Sequence, residues 1–149
     1  MTAYLLDTNL ISKFAPDRAP PSGLVRAWFH EQGEADALFL SAVSVSEIEK
    51  GVRSLHRRGG IERATRLSAW LDSVTESFSD RILPMDTVVA RVVGALEDEA
   101  LSKGHHPGLG DLVIAGTARA YGLTVVTENL RHFEPLNVPL DLPAAFRLQ

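Results

Sequence analysis

Three acids sit at the edges of apolar runs, far apart along the chain. Asp7 directly follows Tyr4-Leu5-Leu6, Glu47 follows the run from Leu38 to Val43, and Asp111 follows Gly108-Leu109-Gly110. An acid at the carboxyl end of a strand stands where open α/β sheets bind their ligands. Carboxylates gathered there repel one another unless a cation or a shared proton compensates. Oxygen ligands in a chain with no cysteine suit Mg2+ or Mn2+ rather than zinc. Such an ion polarises a phosphoryl oxygen and activates water, so phosphodiester hydrolysis is the reaction class that fits. A fourth segment, Thr127-Glu128-Asn129, follows Val125-Val126 and can join the same crevice.

Each acid taken singly has a structural explanation. Asp7 could cap a helix, although Asp7-Thr8-Asn9 offers three capping residues where one helix start needs a single cap. Ser44-Val45-Ser46-Glu47 matches a capping box. If Ser46 is the cap instead, Glu47 projects from the first turn towards the strand ends. Glu47 and Glu49 lie about 200° apart on a helix and cannot reach one site. Asp111 at a helix start favours the helix dipole. The apolar Leu112-Val113-Ile114-Ala115 that follows implies a buried helix, whose start aims Asp111 into the interior or a cleft.

Other motifs fail. Gly108-Leu109-Gly110 begins like a dinucleotide fingerprint, but Val113 occupies the third glycine position. There is no phosphate-binding P-loop and no serine in a nucleophile-elbow sequence. Asp7-Thr8-Asn9 lacks the second aspartate of an aspartyl-phosphate phosphatase. His105-His106 are adjacent and point apart, and Pro107 implies an exposed loop.

The elements that must position the acids follow from short apolar runs alternating with amphipathic stretches, the pattern of a parallel sheet covered on both faces. Strands are expected over residues 3–6, 38–41, 81–83, 123–127 and 138–140. Helices are expected over 9–14, over 23–32 with Leu24, Val25, Trp28 and Phe29 on one face and Gly33 as its stop, and from Ser44 towards Arg57, broken by Gly59-Gly60. Further helices are expected over 61–78, from Asp86 or Thr87 to Lys103 with Val88, Val89, Val92, Val93 and Leu96 inward, over 111–121, and over 130–133. The fold class is a three-layer α/β/α sandwich with a central, mostly parallel sheet of about four to five strands, formed by one domain over residues 1–149.

The 149 residues are 45% hydrophobic and 23% charged, an ordinary globular balance with room for a sizeable core. No apolar run approaches the ~20 residues of a membrane span, so a cytoplasmic protein without membrane association is expected. The net charge of −4 argues at first against a nucleic-acid partner. Yet Lys50, Arg53, Arg57, Arg58, Arg63 and Arg66 face only Glu62 between residues 50 and 66. Such a cluster can track a phosphate backbone, with Lys50, Arg53, Arg57 and Arg58 as candidate RNA contacts, or it can be a solvated helix face.

Four blocks in order, Leu5-Leu6-Asp7-Thr8-Asn9, residues 44–51, Gly110-Asp111-Leu112-Val113-Ile114-Ala115 and residues 126–133, resemble the motif blocks of the PIN domain. More narrowly, the chain resembles VapC-type toxins of bacterial toxin–antitoxin pairs, from Tyr4 to about Phe133. The resemblance implies a Mg2+- or Mn2+-dependent endoribonuclease that restrains translation and growth. It also implies a cognate VapB-type antitoxin, a toxin homodimer and a toxin–antitoxin hetero-oligomer. Asp7, Glu47 and Asp111 match the three main acidic positions, with Asp7 and Asp111 binding metal most directly and Glu47 completing the pocket. Thr8, Asn9 and Thr127 would be supporting polar groups. Asn129 stands where many relatives carry aspartate; it can accept a hydrogen bond but supplies no charge, which favours one firmly held ion. Two other classes compete. One is a PIN-like module that binds a protein or RNA partner without cutting, and the other is a small-molecule phosphohydrolase.

Overall fold

The computed structural model describes residues 1–147. Five short strands form one sheet: β1 (Tyr4–Leu6), β2 (Leu38–Ser41), β3 (Ile82–Leu83), β4 (Thr124–Val126) and β5 (Leu140–Asp141). Their order is β3-β2-β1-β4-β5, and every pairing is parallel. The chain builds outward from β1 to β2 and β3, then returns to the other side of β1 for β4 and β5. The strand order therefore reverses between β1 and β4, the point at which a parallel sheet opens a crevice at its carboxyl edge.

Alternation along the strands divides the core in two. Leu5 and Val125 face one side, packing with Val89, Val93 and Leu96 of α5 (Thr87–Ser102) and with Leu112 and Ala115 of α6 (Leu109–Tyr121). Leu6 and Val126 face the other side, with Val25 of α2 (Gly23–Glu34), Val74 of α4 (Ile61–Phe78) and Phe146 of α8 (Ala144–Arg147). Each of these large apolar side chains contributes about 1.5–3 kcal/mol on burial. The contact between α5 and α6 is close: a Cβ at Gly116 would stand 2.6 Å from Val93 Cγ2. The remaining helices are α1 (Thr8–Ile11), α3 (Ala42–Arg57) and α7 (Leu130–Phe133). No helix among the described residues is long and apolar enough to cross a membrane.

The three-layer reading holds, and the sheet is wholly parallel. Helix α4 runs over the expected residues, and Gly59 takes the left-handed conformation (φ 96°) that turns the chain between α3 and α4. Several local expectations fail. Helix α3 begins at Ala42, because Ser41 accepts the Val43 amide and serves as the cap. No Ser44–Glu47 capping box forms, and Ser46 is not the cap either. Helix α2 continues through Gly33 to Glu34. Leu24 (53% exposed) and Val88 (62% exposed) lie in first turns that reach beyond the core, so neither packs inward. The last strand sits later than expected, at Leu140–Asp141, and α8 has no counterpart among the expected elements.

Candidate active site

Asp7 is the first residue after β1, and it is almost wholly buried (5% exposed). Its backbone carbonyl accepts the amides of Leu10 and Ile11, while its side chain makes no capping bond to α1. The carboxylate turns instead across the sheet. Thr127, the first residue after β4, donates its hydroxyl to Asp7 Oδ2 at 2.8 Å. Because Leu6 pairs with Val126, these two residues leave adjacent parallel strands side by side at the reversal point. The Thr127 hydroxyl also accepts the Asn129 amide at 2.9 Å, which fixes its proton on Asp7.

Glu47 reaches the same edge from the second turn of α3. Thr8 Oγ1 donates to Glu47 Oε1 at 3.0 Å and lies 2.7 Å from the buried Ser44 Oγ. Since the single Thr8 proton serves the carboxylate, Ser44 donates to Thr8. Ser44, a candidate helix cap by sequence, is thus an anchor for the Thr8–Glu47 pair. A Cβ at Gly110 would meet Glu47 Oε1 at 3.1 Å, so the start of α6 lies directly against this carboxylate.

Asp111 is in the first turn of α6, where Gly108 is the cap position. Its Oδ2 lies 3.5 Å from His132 Nδ1 on α7. His132 is a site neighbour that sequence reasoning does not single out, although it falls within the last of the four motif blocks. No spacing rule links residues twenty-one apart.

The electrostatics of Asp7 tie the three acids together. Burial, the largest cause, pushes its carboxyl above the ordinary range; the Thr127 hydroxyl opposes this, the Asp111 charge adds to it, the Thr8 amide opposes it, and the Glu47 charge adds to it. Asp111 is likewise raised by burial, against the lowering influence of His132. Asp7 is therefore a buried carboxylate with one side-chain hydrogen bond and two like charges nearby, an arrangement that fits a hard cation. Among the described residues, no three His, Asp or Glu side chains converge as a ready ligand set. Glu47 accepts from Thr8, and Asp111 lies beside His132.

Of the supporting residues, Asn9 is exposed and lines a groove of about 380 Å³ with Thr8, Glu47, Arg58 and Arg63. Asn129 enters through its backbone, and Glu128 pairs with Lys13 at 2.9 Å. The basic stretch is divided. Lys50 and Arg58 line a depression shared with Glu47, whereas Arg53 pairs with Glu49 at 3.6 Å and faces a separate groove between α3 and α4. Arg57 is exposed, and Arg63 binds Asp17 through two nitrogens, at 2.8 and 2.6 Å.

Residues 4–135 match the family model described as PIN domain. The chain belongs to the PIN domain family. This PIN domain is 33% identical over 139 residues to toxin FitB of Neisseria gonorrhoeae, covering 93% of this chain and 96% of that one. The crystal structure of FitAcB from the same organism superposes with a TM-score of 0.78 at 34% identity, covering 94% of this chain and 97% of that one. The VapC ribonuclease Y4jK of Sinorhizobium fredii is 32% identical over 142 residues, covering 93% and 96%. DNA-bound VapBC from Salmonella typhimurium shares the PIN fold with a TM-score of 0.71 at 28% identity, covering 95% and 98%.

Proposed function

We propose that this PIN domain is the toxin of a toxin–antitoxin pair and acts as a divalent-metal-dependent endoribonuclease. The observation that carries the reading is the buried Asp7 carboxylate at the β1–β4 reversal, with the charges of Asp111 and Glu47 near enough to raise its carboxyl further. Asp7 and Asp111 would hold Mg2+ or Mn2+ most directly, with Glu47 completing the pocket. When bound, the ion supplies positive charge to polarise a phosphoryl oxygen and activate water. Thr127 holds Asp7 in one rotamer, and Thr8 and Ser44 hold Glu47 beside the helix start that carries Asp111. Lys50 and Arg58, which share a depression with Glu47, would meet RNA phosphates, with Arg57 and Arg53 as outlying contacts.

The names of FitB as a toxin and Y4jK as a ribonuclease support this activity. The VapBC assembly supports a cognate VapB-type antitoxin as partner; a toxin homodimer inside that hetero-oligomer is part of the proposal. One observation favours a second reading, a module that binds RNA or protein without cutting: the acids do not converge as a ligand set among the described residues.

One experiment separates the two. Purified protein is incubated with total cellular RNA in Mg2+ or Mn2+, and in chelator, beside Asp7→Ala. Defined cuts that vanish with chelator or with the substitution are expected. Metal-independent cutting would overturn the mechanism, and absence of any cutting would leave the binding module.

A further inference from the structure

A second groove meets the acidic cluster at Asp111. It holds about 280 Å³ and is lined by His105, His106, Asp111, Arg131 and His132, with Pro107 and Pro135 as stiff walls. It shares no lining residue with the groove that meets the cluster at Glu47.

The loop carrying the two histidines is fixed at its start. After α5, the Gly104 amide bonds to the Leu101 carbonyl at 3.0 Å and the His105 amide to the Ala100 carbonyl at 2.9 Å, with Gly104 at φ 78°. This is a Schellman closure, and it directs the chain away from the helix at a set angle. The two histidines, whose adjacency implies side chains that point apart, are thereby both brought to line this one groove, opposite Arg131 and His132 of α7. His105, His106 and Arg131 are exposed, and Arg131 has no carboxylate partner among the described residues.

We propose that this groove is a substrate subsite for single-stranded RNA on the Asp111 side of the cut: Arg131 takes a backbone phosphate, and His105 and His106 stack against a flanking base. The inference rests on the ribonuclease reading above and extends it. A strand whose phosphate lies over the acids must leave the cluster on both sides, and only one exit is provided by the basic groove at Glu47. The second groove supplies the two group types that bind single strands, a guanidinium for phosphate and planar rings for bases. Asp111 is among its lining residues, so a strand held there adjoins the acidic cluster.

The test uses a fluorescein-labelled pool of random 12-nucleotide RNAs, bound to the full chain in chelator and followed by anisotropy across a salt series. Metal-dependent cleavage of the same pool is measured in parallel. For Arg131→Ala, the slope of log affinity against log salt should fall by about 0.7, as expected when one single-strand phosphate is no longer neutralised. Arg131→Lys should keep the slope. The double variant His105→Ala/His106→Ala should bind about tenfold more weakly because base stacking is removed. Thermal midpoints should not move, because all three side chains are exposed. Unchanged affinity and slope in the variants would overturn the subsite while wild-type cleavage still upholds the ribonuclease. An equal drop in affinity for polyglutamate, an acidic polymer without bases, would also overturn it by assigning the groove to acidic chains in general. Absence of RNA binding by the wild type would overturn it as well, and the cleavage assay then decides the ribonuclease reading separately.

Discussion

Thr127 Oγ1 donates to Asp7 Oδ2 at 2.8 Å, joining residues 120 positions apart. The bond exists because β1 and β4 are neighbours in register and each releases one polar residue at its carboxyl end. It converts the strand reversal, a property of topology, into a fixed orientation for one carboxylate.

Removing that bond tests its role. Thr127→Val keeps the shape of the side chain but leaves Asp7 without its side-chain donor and the Asn129 amide without its acceptor. Each buried group left unpaired costs about 1–3 kcal/mol. Metal affinity should fall about 10–100-fold, as when groups that orient metal ligands are removed. Denaturant unfolding and Mn2+ titration read the two effects separately; Thr127→Ser should restore most of both.

Asp7 itself should show a conflict between stability and activity. Its carboxyl is raised above 3.8, so the folded chain binds this proton more readily than the unfolded chain. The stabilising contribution is full below the ordinary value and is lost as pH rises through the folded value. Once ionised, the crowded carboxylate is therefore a cost. Asp7→Asn, whose amide oxygen still accepts from Thr127, should melt higher than wild type in chelator, by about 3 °C per kcal/mol regained. The difference should grow as pH rises from the ordinary carboxyl value through the folded value and then level off, while RNA cleavage is abolished throughout. Melting curves at a series of pH values check this.

Gly110→Ala is a sharper probe of the Glu47 position than of the fold. Alanine suits a helix better than glycine does by about 0.5–1 kcal/mol, but the new Cβ would stand 3.1 Å from Glu47 Oε1 and 3.4 Å from its Cδ. The carboxylate must yield by a few tenths of an ångström. A misplacement at a catalytic site of about 1 Å costs on the order of 10²-fold, so a decrease of roughly tenfold in kcat with a melting temperature that does not fall is expected. Equal decreases in activity and stability would mean that the glycine serves packing alone.

The basic stretch makes a prediction about salt. Neutralising Lys50 and Arg58, which share a depression with Glu47, should lower the salt slope of RNA affinity by about 0.7 for each phosphate that is no longer bound. Arg53→Ala should change it less, since Arg53 pairs with Glu49 and faces another groove. Equal effects at all three positions would favour a diffuse field over a tracked strand.

Much of the fold is legible in local signals. Helix α4 lies between a glycine pair and a short strand, so its periodicity has clear ends. The start of α3 is ambiguous because Ser44 and Ser46 are equally able to cap by sequence; the Ser41 bond to the Val43 amide sets the true start, and the Thr8 contact shows what Ser44 does instead. Periodicity places Leu24 and Val88 inward, yet it reports a helical face and not how far the neighbouring layer extends. Within the site, the residue types and their strand-end positions point to Asp7, Glu47 and Asp111. Thr127 is also legible there as a strand-end residue, but its bond to Asp7, and the parts of Ser44 and His132, arise from the strand order 3-2-1-4-5 and from the return of α7 over α6, which no spacing encodes.

The most direct measurement is a titration of Mn2+ into chelator-treated protein while RNA cleavage is followed, in wild type, Asp111→Asn and Asp7→Asn. Cleavage should rise from zero to saturation in wild type, require much more metal in Asp111→Asn and stay at zero in Asp7→Asn. Cleavage without metal, or an Asp7→Asn curve that overlays wild type, would contradict a cation held at the β1–β4 reversal.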